Sequence, residues 1–344
     1  MMARERLFGK TLGELSAIAA APVSLPPYAA KQIAGWLYRR GAPEISGMTD
    51  LSLTARSMLE KQFETGLTPP SSVATGSDGT RKYLFPVSGN RFIETAFIPD
   101  RDRATVCLSV QSGCRMGCHF CMTARQGFQG NLTANEILNQ FRSLPEHDSL
   151  TNIVFMGMGE PLDNLEEVLG SLDILTSDWG YGWSPSRITV STVGIAGKIN
   201  EFLERSRVHL AVSLHSPFDE ERQRLMPVQK AHPLREILDT VRGFDFGRQR
   251  RVSFEYIVFR GMNDTPAHAK ELARILNGIR CRINLIRFHP IPGSDYSSPD
   301  QAGMETFRDS LTAKGIITTI RASRGLDISA ACGLLSTLEQ NKTK

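Results

Sequence analysis

The sequence lacks both a strong excess of charge of one sign and a long hydrophobic run. Its 344 residues include 40 Lys and Arg against 36 Asp and Glu, a formal net charge of +4. This balance permits a polyanionic partner but does not require one. No apolar run approaches the roughly 18 residues that a membrane helix needs, so we expect neither a membrane span nor a membrane partner.

Internal repeats and low-complexity tracts are also missing, which argues against a collagen-like or disordered chain. Near the N-terminus, Glu14 interrupts a stretch that superficially resembles a signal peptide. Leu7, Leu12 and Leu15 are spaced as in an amphipathic helix instead. The sequence therefore predicts a cytoplasmic globular protein whose length fits one (β/α) barrel with a small appendage.

The periodicity of apolar residues divides the chain into three regions. Apolar residues recur every three or four positions in 29–38 and 53–63, which predicts helices. Short β-rich runs at 82–87 and 91–98, joined by a Ser-Gly-Asn turn, predict a hairpin. We therefore predict an N-terminal helical domain, a β-hairpin linker and a main domain that includes the C-terminal segment. Their predicted bounds are 1–70, 71–103 and 104–344.

The main domain alternates β-rich and helical stretches. Predicted strands lie at 105–110, 152–156, 187–192, 208–214, 252–259 and 282–288, with a further strand at 316–321. Predicted helices between them lie at 134–141, 165–176, 234–241 and 267–276. Such alternation is typical of parallel strands joined by crossover helices. The sequence predicts an α/β protein with a partial (β/α)6 barrel.

Cysteines are few, and three of them are closely spaced. Six cysteines in a reducing compartment are not expected to form structural disulfides. Cys114, Cys118 and Cys121 follow the first predicted barrel strand in the spacing Cys-x3-Cys-x2-Cys. A 4Fe-4S cluster normally binds four thiolates, so three ligands leave one iron open. The alternative is a zinc site with His119 as the fourth ligand, although its adjacency to Cys118 places it poorly for the same tetrahedron.

The cysteine triplet, with Phe120 before its last member, resembles the signature of the radical S-adenosylmethionine (SAM) superfamily. Its surroundings resemble the RlmN/Cfr family of RNA methyltransferases, from about residue 20 to residue 335. The stretches that carry this resemblance are Arg103-Ala-Thr-Val-Cys-Leu-Ser, the cysteine loop through Gln126-Gly-Phe, Met156-Gly-Met-Gly-Glu-Pro-Leu, Ser213-Leu-His, Ile283-Asn-Leu-Ile and Ala330-Ala-Cys-Gly. The resemblance implies a radical SAM barrel, one 4Fe-4S cluster on three cysteines, and two SAM molecules consumed per turnover.

The resemblance also implies a reaction, namely methylation of carbon 2 of an adenosine in 23S ribosomal RNA (position 2503) and of adenosine 37 in transfer RNA. Because that ring carbon is a poor nucleophile, the family carries the methyl group on a protein cysteine and transfers it by a radical route. By motif, Cys332 matches the methyl carrier. Cys107 matches the resolving cysteine, which frees the product by forming a transient disulfide, and Glu94 matches a proposed acceptor of the carbon 2 proton.

The residues alone leave these three roles open. Taken alone, Cys107 and Cys332 could be buried apolar cysteines, as most free cysteines are, and Glu94 could be a solvated strand residue. Cys281 matches no family role. A methyltransferase of the Cfr type, acting on carbon 8, is the nearer alternative. Glu94 and the Gly-Glu-Pro form of the pocket motif favour carbon 2, whereas Ser-Leu-His-Ser-Pro-Phe from residue 213 favours carbon 8.

Further matches predict the SAM pocket at the carboxyl ends of the barrel strands. The predicted SAM contacts are Gly159, Glu160, Ser191, Ser213, Leu214, His215 and His289. His215 is equally consistent with an ordinary loop histidine. His289 stands where the family commonly has asparagine, so its role as a hydrogen-bond donor to SAM departs from the family pattern.

Aromatic and basic residues predict RNA contacts in two groups. The candidates are Trp36, Tyr38, Arg39 and Arg40 in the first group and Arg248, Arg250 and Arg251 in the second. Solvated surface charges are the alternative. The expected partners are 23S rRNA, tRNA and an electron donor of the flavodoxin or ferredoxin type, with the enzyme a monomer. The alternative from another class is a non-catalytic RNA-binding protein with a structural metal.

Overall fold

The computed structural model describes residues 4–21, 24–247 and 252–338. Its strands are β1 (Glu5–Arg6), β2 (Phe63–Glu64), β3 (Ser72–Thr75), β4 (Arg81–Val87), β5 (Arg91–Asp100), β6 (Arg103–Cys107), β7 (Gln111–Ser112), β8 (Gly130–Asn131), β9 (Asn152–Phe155), β10 (Ile188–Thr192), β11 (His209–Ser213), β12 (Val252–Val258), β13 (Cys281–Arg287) and β14 (Ile317–Ile320). Its α-helices are α1 (Leu12–Ala20), α2 (Ala29–Ala34), α3 (Leu53–Gln62), α4 (Met122–Gln126), α5 (Ala134–Arg142), α6 (Leu165–Thr176), α7 (Ala196–Arg205), α8 (Asp219–Leu225), α9 (Leu234–Gly243), α10 (Pro266–Ile275) and α11 (Gln301–Thr312). None of these helices is long and apolar enough to cross a membrane.

Ten strands form one open sheet in the order β14-β13-β12-β11-β10-β9-β6-β5-β4-β3. Every neighbouring pair from β6 to β14 is parallel. Each connection between successive parallel strands contains at least one helix, as the crossover of a parallel sheet requires. The predicted partial barrel is confirmed, with six β/α units followed by β14.

The hairpin strands β4 and β5 belong to the same sheet as the barrel. β5 pairs with β4 and with β6, both in antiparallel orientation, and Ala96 lies opposite Cys107. The segment predicted as a linker therefore extends the barrel wall. This pairing brings Glu94 on β5 close to the strand that carries Cys107. The predicted domain boundaries at residues 70 and 103 stay predictions.

The N-terminal helices pack against the outside of the barrel. A capping box between Thr11 and Glu14 starts α1. Asn135 on α5 donates hydrogen bonds to the carbonyl oxygens of Phe8 and Gly66, at 2.9 and 3.0 Å. Because Asn135 is buried, these bonds satisfy backbone groups that water cannot reach. The N-terminal region is thus fixed to the barrel by both apolar and polar contacts.

Candidate active site

The loop that carries the cysteine triplet lies between β7 and α4, at the carboxyl end of the first barrel strand. A side chain at Gly113 would place its Cβ 1.6 Å from the carbonyl oxygen of Gly127, so only glycine allows this close approach. Cys114 and Cys118 are buried, and Cys121 is half-buried. Burial raises the pKa of Cys114 to about 12 and also raises the pKa of Cys118 and of Cys121. The bare thiols are therefore neutral, and coordination to iron is the interaction that would ionise them.

The arrangement of the cysteines fits a cluster better than a single metal ion. A zinc site needs four ligands around one centre, whereas the thiolates of a cubane each bind a different iron. His119, the proposed fourth zinc ligand, is exposed, whereas Cys118 beside it is buried. Three thiols on one loop fit a 4Fe-4S cluster with one iron available to SAM.

Glu160 lies after the second barrel strand in a fully buried position. Its carboxylate accepts hydrogen bonds from the hydroxyl of Thr192 at 2.6 Å and from the backbone N–H groups of Val193 and Leu162 at 2.8 and 3.0 Å. Burial raises the pKa of Glu160 to about 7, while these bonds act to lower it. Gly159 has φ of 98°, and a Cβ there would lie 2.5 Å from the Cβ of Gln111. The predicted Gly-Glu pair is thus held rigidly beside the cysteine loop.

His215 is a buried residue with φ of 58°, an uncommon conformation for a side-chain-bearing residue. Its Nδ1 accepts a 2.9 Å hydrogen bond from the backbone N–H of Ile257, which leaves the proton on Nε2. Burial and the cation of Arg222 together lower the pKa of His215 to about 3, so the ring is neutral. The ring contacts Phe120 edge-on at 4.8 Å. His215 therefore adjoins the cysteine loop as a fixed N–H donor.

Asn263, which the sequence did not indicate, holds the loop of His215 in place. Its amide donates to the carbonyl oxygens of His215 and Ile257 at 2.7 and 2.8 Å, and its side-chain oxygen accepts from the N–H of Phe259 at 2.7 Å. All three bonds are buried. One amide therefore satisfies three backbone groups, one in the loop after β11 and two at the end of β12.

Replacing Asn263 with alanine is expected to lower the free energy of unfolding by about 3–5 kcal/mol, because three buried backbone groups lose their partner. Chemical denaturation of the two purified proteins measures the difference. Asn277→Ala is the control, since Asn277 is exposed. An Asn263→Ala variant as stable as the control would show that the loops satisfy these groups in another way.

The other predicted SAM contacts line the same end of the barrel. Ser191 and Ser213 are half-buried near the ends of β10 and β11, and Leu214 is fully buried. His289 is half-buried two residues after β13. Burial lowers the pKa of His289, and Arg287 lowers it further. His289 is thus a neutral histidine at the end of the sixth barrel strand, and its contact with SAM stays a prediction.

Cys107 and Cys332 lie close to each other although 225 positions separate them in sequence. Cys107 ends β6 and packs with Ala330, two residues before Cys332. Burial, together with the nearby Cys332, raises the pKa of Cys107 to about 12, although the cation of Arg321 acts to lower it. Cys332 is half-buried and also packs against the apolar cluster that contains the cysteine triplet. Cys332 therefore lies between the cysteine loop and Cys107.

The segment that carries Cys332 is clamped onto α4 by hydrogen bonds. The N–H of Met122 donates to the carbonyl of Gly333 at 2.8 Å, and the hydroxyl of Thr123 donates to the carbonyl of Leu335 at 2.7 Å. The side chain of Gln126 bonds both the N–H and the hydroxyl of Thr337, at 2.8 and 2.7 Å. Because α4 starts directly after Cys121, the clamp ties the position of Cys332 to the cysteine loop.

Glu94 is buried rather than solvated. One carboxylate oxygen forms an ion pair with the ammonium of Lys82 at 2.9 Å, and the other accepts the N–H of Ser336 at 2.9 Å. Glu94 thereby joins the hairpin to the segment that carries Cys332. The sequence had left open a solvated strand position, which the structure contradicts. Its role as a proton acceptor stays a prediction.

The first group of predicted RNA contacts is only partly accessible. Tyr38 is wrong as a stacking residue, because it is buried against Phe8, Trp179 and Tyr181. Trp36 and Arg40 contact each other at 4.3 Å, and both bond Asp50, which offsets the charge of Arg40. Arg39 is exposed and donates to the carbonyl of Gly180 at 3.2 Å. The second group, Arg248, Arg250 and Arg251, lies outside the described residues.

The chain is similar to known proteins over nearly its whole length. A family model for the Radical SAM superfamily matches residues 108–273, and one for the ribosomal RNA large subunit methyltransferase N-terminal domain matches residues 7–65. A probable dual-specificity RNA methyltransferase RlmN of Parabacteroides distasonis is 57% identical over 337 residues, covering 98% of each chain. A dual-specificity RNA methyltransferase RlmN of Syntrophus aciditrophicus is 44% identical over 313 residues, covering 90% of each. The crystal structure of a radical SAM methyltransferase from Sphaerobacter thermophilus has a TM-score of 0.88 at 40% identity, covering 96% of this chain and 99% of that one.

Proposed function

The chain belongs to the RlmN family of radical SAM RNA methyltransferases, and we propose that it methylates carbon 2 of adenosine 2503 in 23S rRNA and of adenosine 37 in tRNA. Membership of this family implies a 4Fe-4S cluster and SAM, and the three cysteines of the loop fit the cluster. The observation that carries the proposal is the placement of Cys332 between the cysteine loop and Cys107. A reaction that needs a carbon carrier, a radical source and a resolving thiol requires these three features side by side.

Each residue then has a distinct part in the reaction. Cys114, Cys118 and Cys121 would hold the cluster, which would supply the electron for homolytic cleavage of SAM. Glu160 and His215 hold SAM, the first by accepting and the second by donating a hydrogen bond. Ser191, Ser213, Leu214 and His289 complete the pocket.

Cys332 carries the carbon that is transferred to the base. Its sulfur would take a methyl group from one SAM molecule, and that carbon, after giving a hydrogen atom to the radical derived from a second SAM molecule, would add to the adenine. The adduct would return one electron to the oxidised cluster, and Glu94 would accept the carbon 2 proton. The sulfur of Cys107, losing its proton, would then bond to the sulfur of Cys332 as the bond between Cys332 and the carbon breaks, and the freed carbon would take up a proton to become the methyl group. The resulting disulfide is reduced by a thiol reductant before the next turnover.

Carbon 2 is favoured over carbon 8 because the buried Glu94 is fixed to the segment that carries Cys332. The test is mass spectrometry of nucleosides from 23S rRNA and from tRNA, isolated separately from cells with and without the gene. We expect 2-methyladenosine in both RNA pools only when the gene is present. 8-Methyladenosine would overturn the choice of carbon, and an unmodified tRNA pool would limit the substrate to ribosomal RNA.

Replacing Glu160 with glutamine is expected to weaken SAM binding about 10- to 100-fold, because a charge-assisted hydrogen bond becomes a neutral one. Since burial raises the pKa of Glu160 to about 7, more of the wild-type carboxylate is ionised as the pH rises. SAM affinity should therefore increase by about tenfold from pH 6 to pH 8, and the variant should lose this dependence. Equilibrium dialysis measures both effects, with Glu166→Gln as the control because Glu166 is exposed. Unchanged affinity in Glu160→Gln would contradict the role of Glu160.

We further propose that the enzyme acts as a cytoplasmic monomer. Its electron donor is of the flavodoxin or ferredoxin type, since the cluster must be reduced one electron at a time. Gel filtration of the purified protein tests whether it is a monomer. The identity of the electron donor is tested in the methylation assay, in which purified flavodoxin or ferredoxin replaces the chemical reductant.

A further inference from the structure

Arg222 is the largest side chain that is completely buried in the described part of the chain. It lies on α8 and donates hydrogen bonds to the carbonyl oxygens of Val193, Ser213 and Leu214, at 2.7, 3.0 and 3.2 Å. Its remaining described bond goes to the side-chain oxygen of Gln229. All four acceptors are electrically neutral.

The charge of Arg222 is therefore not balanced by a carboxylate of the described residues that contacts it. Gln229, which accepts from Arg222, also donates through its side-chain amide to the carboxylate of the exposed Asp219, at 2.7 Å. Burial lowers the pKa of Arg222 to about 10, so the guanidinium stays charged at neutral pH. A buried cation without a paired anion is strongly unfavourable. A function that needs the charge would explain its position.

The surroundings of Arg222 point to the cysteine loop. Leu225, three residues further along α8, accepts a 3.0 Å hydrogen bond from the N–H of His119, the residue after Cys118. Leu225 and Met226 also pack with Cys114 and Cys118 in one apolar cluster. One end of α8 is thus fixed to the loop that holds the cluster.

We propose that Arg222 is the buried counter-charge of the 4Fe-4S cluster and raises its reduction potential. This inference rests on the proposed function only in requiring that Cys114, Cys118 and Cys121 hold the cluster. On reduction the cluster becomes more negative, and a fixed cation in a low-dielectric interior stabilises the reduced form. Through its bonds to Val193, Ser213 and Leu214, the same guanidinium positions the two loops that form the SAM pocket.

The test is a redox titration of the anaerobically reconstituted, full-length protein, followed by the electron paramagnetic resonance signal of the reduced cluster without SAM or RNA. Three variants are compared with the wild type: Arg222→Gln, Arg222→Lys and Arg224→Gln. Arg224 lies on the same helix but is exposed, so Arg224→Gln removes the same charge on the solvent side. We expect a midpoint shifted to more negative potential in Arg222→Gln, and midpoints near the wild-type value in Arg222→Lys and Arg224→Gln.

A wild-type midpoint in an Arg222→Gln protein that holds a full cluster would overturn the proposal. If Arg222→Gln does not retain iron, the midpoint of Arg222→Lys becomes the deciding measurement, because lysine keeps the charge but cannot make all four hydrogen bonds. A retained cluster with the wild-type midpoint then supports the counter-charge. The proposal is overturned if Arg222→Lys also loses the cluster. It is also overturned if Arg222→Lys keeps the cluster but has a midpoint more negative than that of the wild type. A wild-type protein that assembles no cluster would instead contradict the proposed function.

Discussion

Replacing Cys118 with alanine is expected to lower the rate of SAM cleavage by at least about a thousandfold. Cys118 is the central member of the triplet, is buried, and packs with Cys114 against the same apolar side chains. Removing its thiol leaves two protein ligands, too few to hold a cubane in place. The expected measurements are loss of iron and sulfide from the purified protein and loss of 5′-deoxyadenosine from the reaction.

Cys281→Ala is the matched control for this substitution. Cys281 begins β13, is half-buried and lies away from the cysteine loop in sequence and in the sheet. It should retain iron and cleave SAM at the wild-type rate. A Cys118→Ala protein that still produces 5′-deoxyadenosine, or a Cys281→Ala protein that does not, would contradict the assignment of the cluster ligands.

Most of the barrel could be predicted because short β-rich runs alternate along the chain with stretches of helical periodicity. The strand predicted at 187–192 is observed at Ile188–Thr192, and the helix predicted at 165–176 at Leu165–Thr176. α7 was not predicted, since only Ile199, Phe202 and Leu203 bury its face in an otherwise polar stretch. The pairing of the hairpin with β6 was also not predictable, because no local pattern specifies which strand of the barrel a hairpin joins.

The residues of the candidate site could be predicted from motifs, but the contacts that support them could not. Arg222 lies in the run Asp-Glu-Glu-Arg-Gln-Arg, which is typical of a solvated helix, and only the fold shows that this arginine is buried. Tyr38 was expected at the RNA surface because aromatic and basic residues cluster there, but its ring is buried in the core. Sequence spacing indicates which residues share a loop, whereas burial depends on what the rest of the chain places against them.

Replacing Cys107 with alanine should stop product release rather than the earlier steps. Cys107 adjoins the segment of Cys332 but takes no part in holding the cluster, so SAM cleavage and methylation of Cys332 should continue. Without the Cys107 sulfur, nothing attacks the sulfur of Cys332, and the bond from Cys332 to the transferred carbon persists. Free methylated RNA should fall by at least about a hundredfold, and a covalent adduct of protein and RNA should accumulate.

Denaturing gel electrophoresis with labelled RNA and mass spectrometry of the digested adduct measure this outcome, and the digest should place the nucleotide on Cys332. Cys281→Ala controls for loss of a cysteine and should release product normally. Cys332→Ala should form neither adduct nor product, which separates the carrier from the resolving thiol. Normal release of methylated RNA by Cys107→Ala would show that another group frees the product. In that case the buried Cys107, whose pKa burial raises to about 12, would be a packing residue beside the site.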